Sequence, residues 1–195
     1  MKNQSTLTTN EAEPILGQEG REIQQYGDLI PVPLGIGDSV RSNSVKQLNQ
    51  LLAETMAIRD LYKKHHWQVS GATFYQLHLL FDKHYEEQAT LVDSIAERIM
   101  MLGGISIAMA TDVAEMSTIA RPPRGREEPP VQVSRLIDAH AIILELARKL
   151  SDAADEGGDN GTVDLMDSKI IPTSEMQVWF VSQHVVDVPQ VRANE

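Results

Sequence analysis

The sequence predicts an all-α protein: a four-helix bundle whose second and third helices are joined by a long crossover that contains a short helix of its own. Three observations carry this. Apolar residues recur at i, i+3 and i+4 over several long stretches. No stretch alternates in the way a half-buried strand would. A proline-rich connection, residues 105–130, separates the second periodic stretch from the third. Bundles with one long crossover are a recurrent all-α arrangement.

The elements follow in chain order. Residues 1–40 are polar and acidic, with Gly and Pro in IPVPLGIGDSV, and read as a flexible N-terminal arm. The bundle domain is expected over 41–190, with a short tail at 191–195. Ser42 or Ser44 can cap the first helix, whose apolar residues include Val45, Leu48, Leu51, Leu52, Met56 and Ile58 and which stops near Ser70-Gly71. The second helix is predicted from about Thr73 to Leu102, ended by Gly103-Gly104. Tyr75, Leu79, Leu91, Ile95 and Ile99 are expected on its core side. TDVAEMSTIA, residues 111–120, is a candidate short helix in the crossover, and RPPRGREEPP after it reads as a stop. The third helix is predicted over 134–156 with Ser134 as its cap. The acidic, Gly-rich DEGGDNGTVD, residues 155–164, is a turn. Pro172 interrupts the last helical region, which restarts at TSEMQ, with Ser174 and Gln177 spaced as a capping box, and runs to about Val186.

Composition narrows the function. The 195 residues are enough for one domain with a sizeable core, and 42% are apolar. With no cysteine, disulfides and thiolate metal sites are excluded, which fits a reducing compartment. The first residues lack the apolar run of a secretory signal. No stretch approaches the roughly 20 apolar residues of a membrane span. A cytoplasmic location is therefore expected. The net charge of −11 opposes nonspecific binding to duplex DNA, where affinity comes mainly from Lys and Arg on phosphate. It is compatible with attraction of cations, or with plain solubility.

The chemistry lies in HHWQVSGATFYQLHLLFDKHYEEQATLVDSIAERIMMLGG. His66, His78, Asp82, Asp93 and Glu97 in this stretch are all metal-ligand types. Imidazole with carboxylate suits divalent iron or zinc better than calcium or magnesium. On one helix His78, Asp82, Asp93 and Glu97 fall at roughly 0°, 40°, 60° and 100°, a single face. Along the axis His78 and Glu97 are about 28 Å apart. One ion with bonds of about 2 Å does not bridge that distance. Two such helices running antiparallel about a twofold axis would bring the His78/Asp82 end of one chain to the Asp93/Glu97 end of the other. The spacing thus predicts a metal site shared between two subunits.

HHWQVSGATFYQLHLLFD followed by DSIAERIMMLGG resembles the signature of the Dps mini-ferritins, the starvation-induced DNA-protecting proteins of the ferritin-like superfamily. The match is specific: HW, then LH, then Asp four residues on, then DxxAER. The resemblance extends over about residues 44–187, including the long crossover and Trp179-Phe180 in the last helix. It implies a hollow homododecamer with 23 symmetry and ferroxidase sites at twofold interfaces. It implies oxidation of Fe(II), preferably by hydrogen peroxide and otherwise by oxygen. The ferric product would be stored as a mineral in the cavity, protecting the cell against oxidative stress. His66, His78 and Asp82 would form one subunit's half of the site, Asp93 and Glu97 the partner's half, together holding two irons. Zinc is an alternative occupant. Asp82 and Glu97 would be the principal carboxylates, and Asp93 a second-site or hydrogen-bonding carboxylate. Trp67 would intercept stray oxidising equivalents, or serve as a packing anchor.

The remaining histidines and acids have lesser expected roles. His184 on the last helix is a candidate extra ligand. His65 is expected at the surface beside His66, His84 facing away from the site, and His140 structural. In the family, the region of the acidic turn lines threefold pores, so Asp152, Asp155, Glu156, Asp159 and Asp164 are candidates for an iron-entry pore; a solvated turn is the plainer reading. A nucleoid DNA-binding protein with little iron chemistry is the alternative function. The arm offers only Lys2 and Arg21, and the C-terminal tail only Arg192, so DNA binding is expected to be weak or absent. Larger ferritins carry Glu-x-x-His within each bundle, and no Glu-x-x-His occurs here.

Overall fold

The computed structural model describes residues 16–17 and 22–187. Four long segments form the bundle: α1 (Asp38–Gln68), α2 (Phe74–Met101), α4 (Pro129–Gly157) and a composite fourth helix. The crossover carries α3 (Ala110–Met116). The fourth helix comprises α5 (Asn160–Leu165), a π turn (Met166–Ile170) and α6 (Ile171–Ser182), and ends in a 3₁₀ turn, Gln183–Val185. No strand occurs among the described residues. α1 packs against α2 and α4, and α4 against α6. Leu48, Leu52, Ile58, Phe81, Ile95 and Leu136 are among the side chains fully enclosed between them.

Several boundaries differ from the sequence reading, each for a local reason. α1 begins at Asp38 rather than at Ser42 or Ser44. Asp38 supplies the acidic first turn and pairs with Arg41 at 2.8 Å. Ser44 is buried and donates to Asp159 at 2.7 Å. α4 begins at Pro129, ahead of Ser134, because Pro129 and Pro130 occupy its first turn, where no intrahelical N–H is needed. Pro172 does not end the last helix. A proline mid-helix lacks a donor and crowds the carbonyl four residues back. The π turn over Met166–Ile170 lies immediately before it, and such a turn loosens the ladder where a proline must pass. Ser174 and Gln177 are therefore buried mid-helix residues, not a cap.

The described part of the arm is held rather than free from Gln24 onward. Gln24 donates to the carbonyl of Gly103 at 2.9 Å, and the Ile30 amide donates to the same carbonyl, also at 2.9 Å. The buried Arg41 guanidinium donates to the carbonyls of Ile30 and Leu102. Gly103 has φ +84°, and a Cβ there would meet the Ile30 oxygen at 2.5 Å. Glycine is what permits this approach. Residues 1–15 and 18–21 of the arm, and the tail 191–195, lie outside the described residues.

The crossover is fastened to α1 by two buried polar residues. Asn49 donates to the carbonyl of Ile105 and accepts from the amide of Ile107. The Glu54 carboxylate is fully enclosed and accepts from Gln50, Ser117, Thr118 and Ile119. A buried carboxylate is tolerated when donors surround it in this way.

Candidate metal centre

α1 and α2 run alongside each other, so the end of α1 meets the start of α2. This brings together three of the predicted ligands. The His66 and His78 rings stack with centroids 3.8 Å apart and planes inclined by 19°. His66 Nδ1 lies 2.8 Å from the His78 carbonyl oxygen, and His78 Nδ1 lies 2.9 Å from the His66 carbonyl oxygen. A carbonyl only accepts, so each Nδ1 carries a proton, which leaves Nε2 as the nitrogen that would face a metal in the neutral ring. Neutral imidazoles oriented in this way are what a divalent ion needs, since a hydrogen bond at the other nitrogen commonly fixes a ligating His. Phe74 lies 5.2 Å from the His78 ring.

Asp82 completes the group, with a carboxylate oxygen 3.8 Å from His66 Nδ1. The ammonium of Lys63 pairs with that same oxygen at 2.5 Å. The hydrogen bond from Lys63 holds the Asp82 carboxyl below the usual carboxylate range. Lys63 also lies 4.4 Å from the centroid of the Tyr85 ring. It is a residue the sequence reading missed. Its position three residues before His66 on a helix was the available signal, since i and i+3 share a face.

Asp93 and Glu97 lie further along α2 and are exposed. Neither makes a side-chain hydrogen bond or ion pair among the described residues. No group of three or more His, Asp or Glu able to hold a metal forms within the described residues of one chain. The chain therefore brings together His66, His78 and Asp82 and keeps Asp93 and Glu97 apart from them.

The other candidates are placed as follows. Trp67 is 70% exposed, pointing away from its own subunit's core. His184 sits in the exposed 3₁₀ turn after α6, where it does not reach the interior of the bundle. Asp152, Asp155, Glu156 and Asp164 are exposed. Asp159 is not: it is fully buried, ion-paired with Arg98, and caps α5 by accepting from the Thr162 amide. It is a structural acid rather than a pore lining. His65 is likewise buried rather than at the surface. His84 turns away from Asp82 into the core, and His140 is enclosed with it. Tyr75 and Leu79, expected in the core, are 67% and 50% exposed. The inward face of α2 runs instead through Leu77, Phe81, His84, Gln88, Leu91, Ile95 and Ile99.

Comparison with known proteins agrees with this architecture. Residues 45–191 match the family model described as a ferritin-like domain. The solved structure of DpsC from Streptomyces coelicolor superposes with a TM-score of 0.87 at 46% identity, covering 88% of this chain and all of that one. An uncharacterized protein of Kitasatospora aureofaciens is 44% identical over 133 residues, 68% of this chain and 89% of that protein. A nutrient stress-induced DNA-binding protein of Nostoc is 31% identical over 153 residues, 78% of this chain and 83% of that one. The chain belongs to the Dps family of mini-ferritins, a branch of the ferritin-like proteins. No helix among the described residues is long and apolar enough to cross a membrane.

Proposed function

We propose that the protein is a cytoplasmic ferroxidase and iron-storage mini-ferritin. In this reading it oxidises Fe(II), preferably with hydrogen peroxide, at sites shared between two subunits of a dodecamer with 23 symmetry. The ferric product is kept as mineral within the shell, which protects the cell against oxidative stress. The observation that carries the reading is the division of ligands along α2. A preoriented His66/His78/Asp82 group stands at one end, and the exposed carboxylates of Asp93 and Glu97 stand at the other. Each half alone is too poor in donors for a stable site. An antiparallel partner supplies the missing half twice over.

The roles follow from the chemistry of each group. Nε2 of His66 and of His78 bind Fe(II) as neutral nitrogen donors. Asp82 and the partner subunit's Glu97 supply charge that favours Fe(III) once it forms, and the partner subunit's Asp93 holds a second iron or orients its ligands. Two irons side by side give peroxide two electrons together, so no hydroxyl radical is released. Zinc fits the same donors and would act as an inhibitor. Exposed Asp152, Asp155, Glu156 and Asp164, repeated about a threefold axis, would concentrate cations at an entry pore. Trp67, exposed beside His66, would quench oxidants that escape.

Anaerobic Fe(II) loading followed by peroxide tests this, with Fe(III) absorbance as the readout and a His78→Ala/Asp82→Ala variant alongside. Fast oxidation in the parent and its loss in the variant support the reading. Equal behaviour of the two overturns it.

Relatives named for DNA binding and DNA protection raise a second function. The charge of −11 opposes it, because each phosphate contact needs a Lys or Arg. A gel shift is expected to show no complex at about 150 mM salt.

A further inference from the structure

The interior of the bundle holds polar groups that the iron chemistry described above does not use. Tyr62 on α1, His84 and Gln88 on α2, His140 on α4 and Gln177 on α6 are all fully buried. At their centre the Tyr62 hydroxyl lies 2.7 Å from His140 Nε2. The edge of the Tyr62 ring meets His84, centroids 5.2 Å apart, and its other neighbour Phe81 lies at 6.1 Å. Two short links join Tyr62 to the candidate iron site, one along α1 and one through Phe81. Tyr62 is one helical turn before His66 on α1, about 6 Å along the axis. Phe81 directly precedes Asp82 on α2.

Tyr62 differs from the other three tyrosines in a way that matters for electron transfer. A phenol gives up an electron readily only when a base takes its proton at the same time. Tyr26 and Tyr75 are exposed and, among the described residues, have no nitrogen base against the hydroxyl. Tyr85 carries the Lys63 ammonium against its ring, and a cation there opposes removal of an electron. Among the described residues, only the Tyr62 hydroxyl lies within hydrogen-bonding distance of an imidazole nitrogen. Burial raises the pKa of Tyr62 well above its usual value. Burial, with His84 nearby, lowers that of His140 to about 3, against a smaller opposing effect of Gln177. The pair therefore rests as neutral phenol and neutral imidazole.

We propose that Tyr62 is a one-electron donor to the iron site, with its phenolic proton passing to Nε2 of His140. This rests on the ferroxidase reading above, which supplies the oxidant, hydrogen peroxide. The need arises when a site holds one Fe(II) instead of two. Peroxide then takes one electron from Fe(II) and one from Tyr62. One Fe(II), one phenol, one imidazole and one H₂O₂ give one Fe(III), one neutral phenoxyl radical, one imidazolium and two hydroxide ions. The O–O bond breaks with both electrons supplied, so no hydroxyl radical leaves the site. Because burial disfavours the imidazolium, His140 returns the proton when the phenoxyl is reduced again. Enclosure of the ring keeps the radical from coupling with solutes, so it accumulates to an observable level.

The test uses the assembled protein loaded anaerobically with one Fe(II) per site, then mixed with peroxide and frozen for electron paramagnetic resonance. The parent is expected to give a tyrosyl signal that narrows when ring-deuterated tyrosine is incorporated. Tyr62→Phe is expected to lose that signal and to increase spin-trapped hydroxyl radical. A Tyr26→Phe/Tyr75→Phe/Tyr85→Phe variant leaves the core intact and is expected to retain the signal, which keeps the test decisive if Tyr62→Phe fails to fold. A signal that survives Tyr62→Phe, that disappears in the triple variant, or that narrows with deuterated tryptophan instead overturns the inference. So does Fe(III) formation in the parent with no tyrosyl signal. Absence of any Fe(III) formation overturns the ferroxidase reading itself, and this inference with it.

Discussion

His66 and His78 each hold the other's backbone: the Nδ1 atom of each ring donates to the main-chain carbonyl of the other residue, at 2.8 and 2.9 Å. This reciprocal pair ties the end of α1 to the start of α2 and places a proton on Nδ1 of both rings. A donor group ordered in advance loses little freedom on binding. In the proposed shared site it is incomplete by itself, since Asp93 and Glu97 stand elsewhere on α2.

That incompleteness gives a complementation test. A His78→Ala/Asp82→Ala variant lacks one half of the proposed site, and an Asp93→Ala/Glu97→Ala variant lacks the other. Each alone should show little peroxide-dependent iron oxidation. When the two are dissociated, mixed equally and reassembled, every mixed pair contains one intact site and one doubly defective site. Random pairing about a twofold interface then restores about a quarter of the parent sites. Fe(III) absorbance on peroxide addition measures this. Recovery no greater than the average of the two variants would mean that each ligand set acts within its own subunit.

Lys63 competes for the Asp82 oxygen that a metal would use. Its positive charge also opposes a cation nearby. Replacing it by methionine keeps the stem and removes the charge. Lys63→Met should therefore bind Zn(II) or anaerobic Fe(II) more tightly than the parent, measured by calorimetric titration. The pH profile should move as well. Lys63 holds the Asp82 pKa below its ordinary value, so its removal lets that pKa rise. Metal binding in the variant should then fail at a higher pH on acidification. Unchanged affinity would show that Lys63 moves aside at no cost.

The bundle, and the separation of Asp93 and Glu97 from His66, His78 and Asp82 within one chain, were readable because they depend on periodicity and reach. A helix converts residue number into angle and distance, so the separation of His78 from Glu97 follows from counting alone. The inward face of α2 was harder to read because polar residues occupy it. Leu77, Phe81, His84, Gln88, Leu91, Ile95 and Ile99 form a regular stripe, but His84 and Gln88 break its apolar pattern. Tyr75 and Leu79 fit the apolar rule yet sit on the outside, on a face that two exposed carboxylates share. Asp159 misled for the opposite reason. In a run of acids nothing local distinguishes the one that meets Arg98, which is 61 positions away in the chain. Burial of a charge is a property of tertiary pairing, which spacing does not encode.

The Asp159–Arg98 pair should be a main fastening of the fourth helix. Asp159 is fully buried and also accepts from Ser44 and Thr162. Removing one partner of a buried pair leaves the other charge uncompensated. Asp159→Ala should cost about 3 kcal/mol and lower the thermal midpoint of the assembled protein. Burial by itself would raise the Asp159 pKa, but donation from Thr162 and Ser44 and the charge of Arg98 outweigh it and hold the value low. A depressed carboxylate pKa means that this stabilisation is present at neutral pH and lost as pH falls below about 4. A variant with the parent's midpoint would show the pair to be dispensable.

Acidification should weaken the bundle earlier than the carboxylates require, because of its enclosed histidines. Burial lowers the His140 pKa to about 3, and those of His65 and His84 to about 4. In the unfolded chain each titrates at about 6.5. The folded state therefore binds fewer protons than the unfolded state through that whole window. Stability is full above about 6.5 and declines as pH falls toward the folded values, by up to about 1.4 kcal/mol per pH unit for each histidine. The thermal midpoint should accordingly drop between pH 7 and pH 5, before the carboxylates protonate. His140→Gln, which removes one of the three titrations and keeps a polar group opposite Tyr62, should show a shallower decline even though it starts from a lower midpoint. Equal slopes for parent and variant would mean that the unfolded chain gains no proton at His140 relative to the folded one.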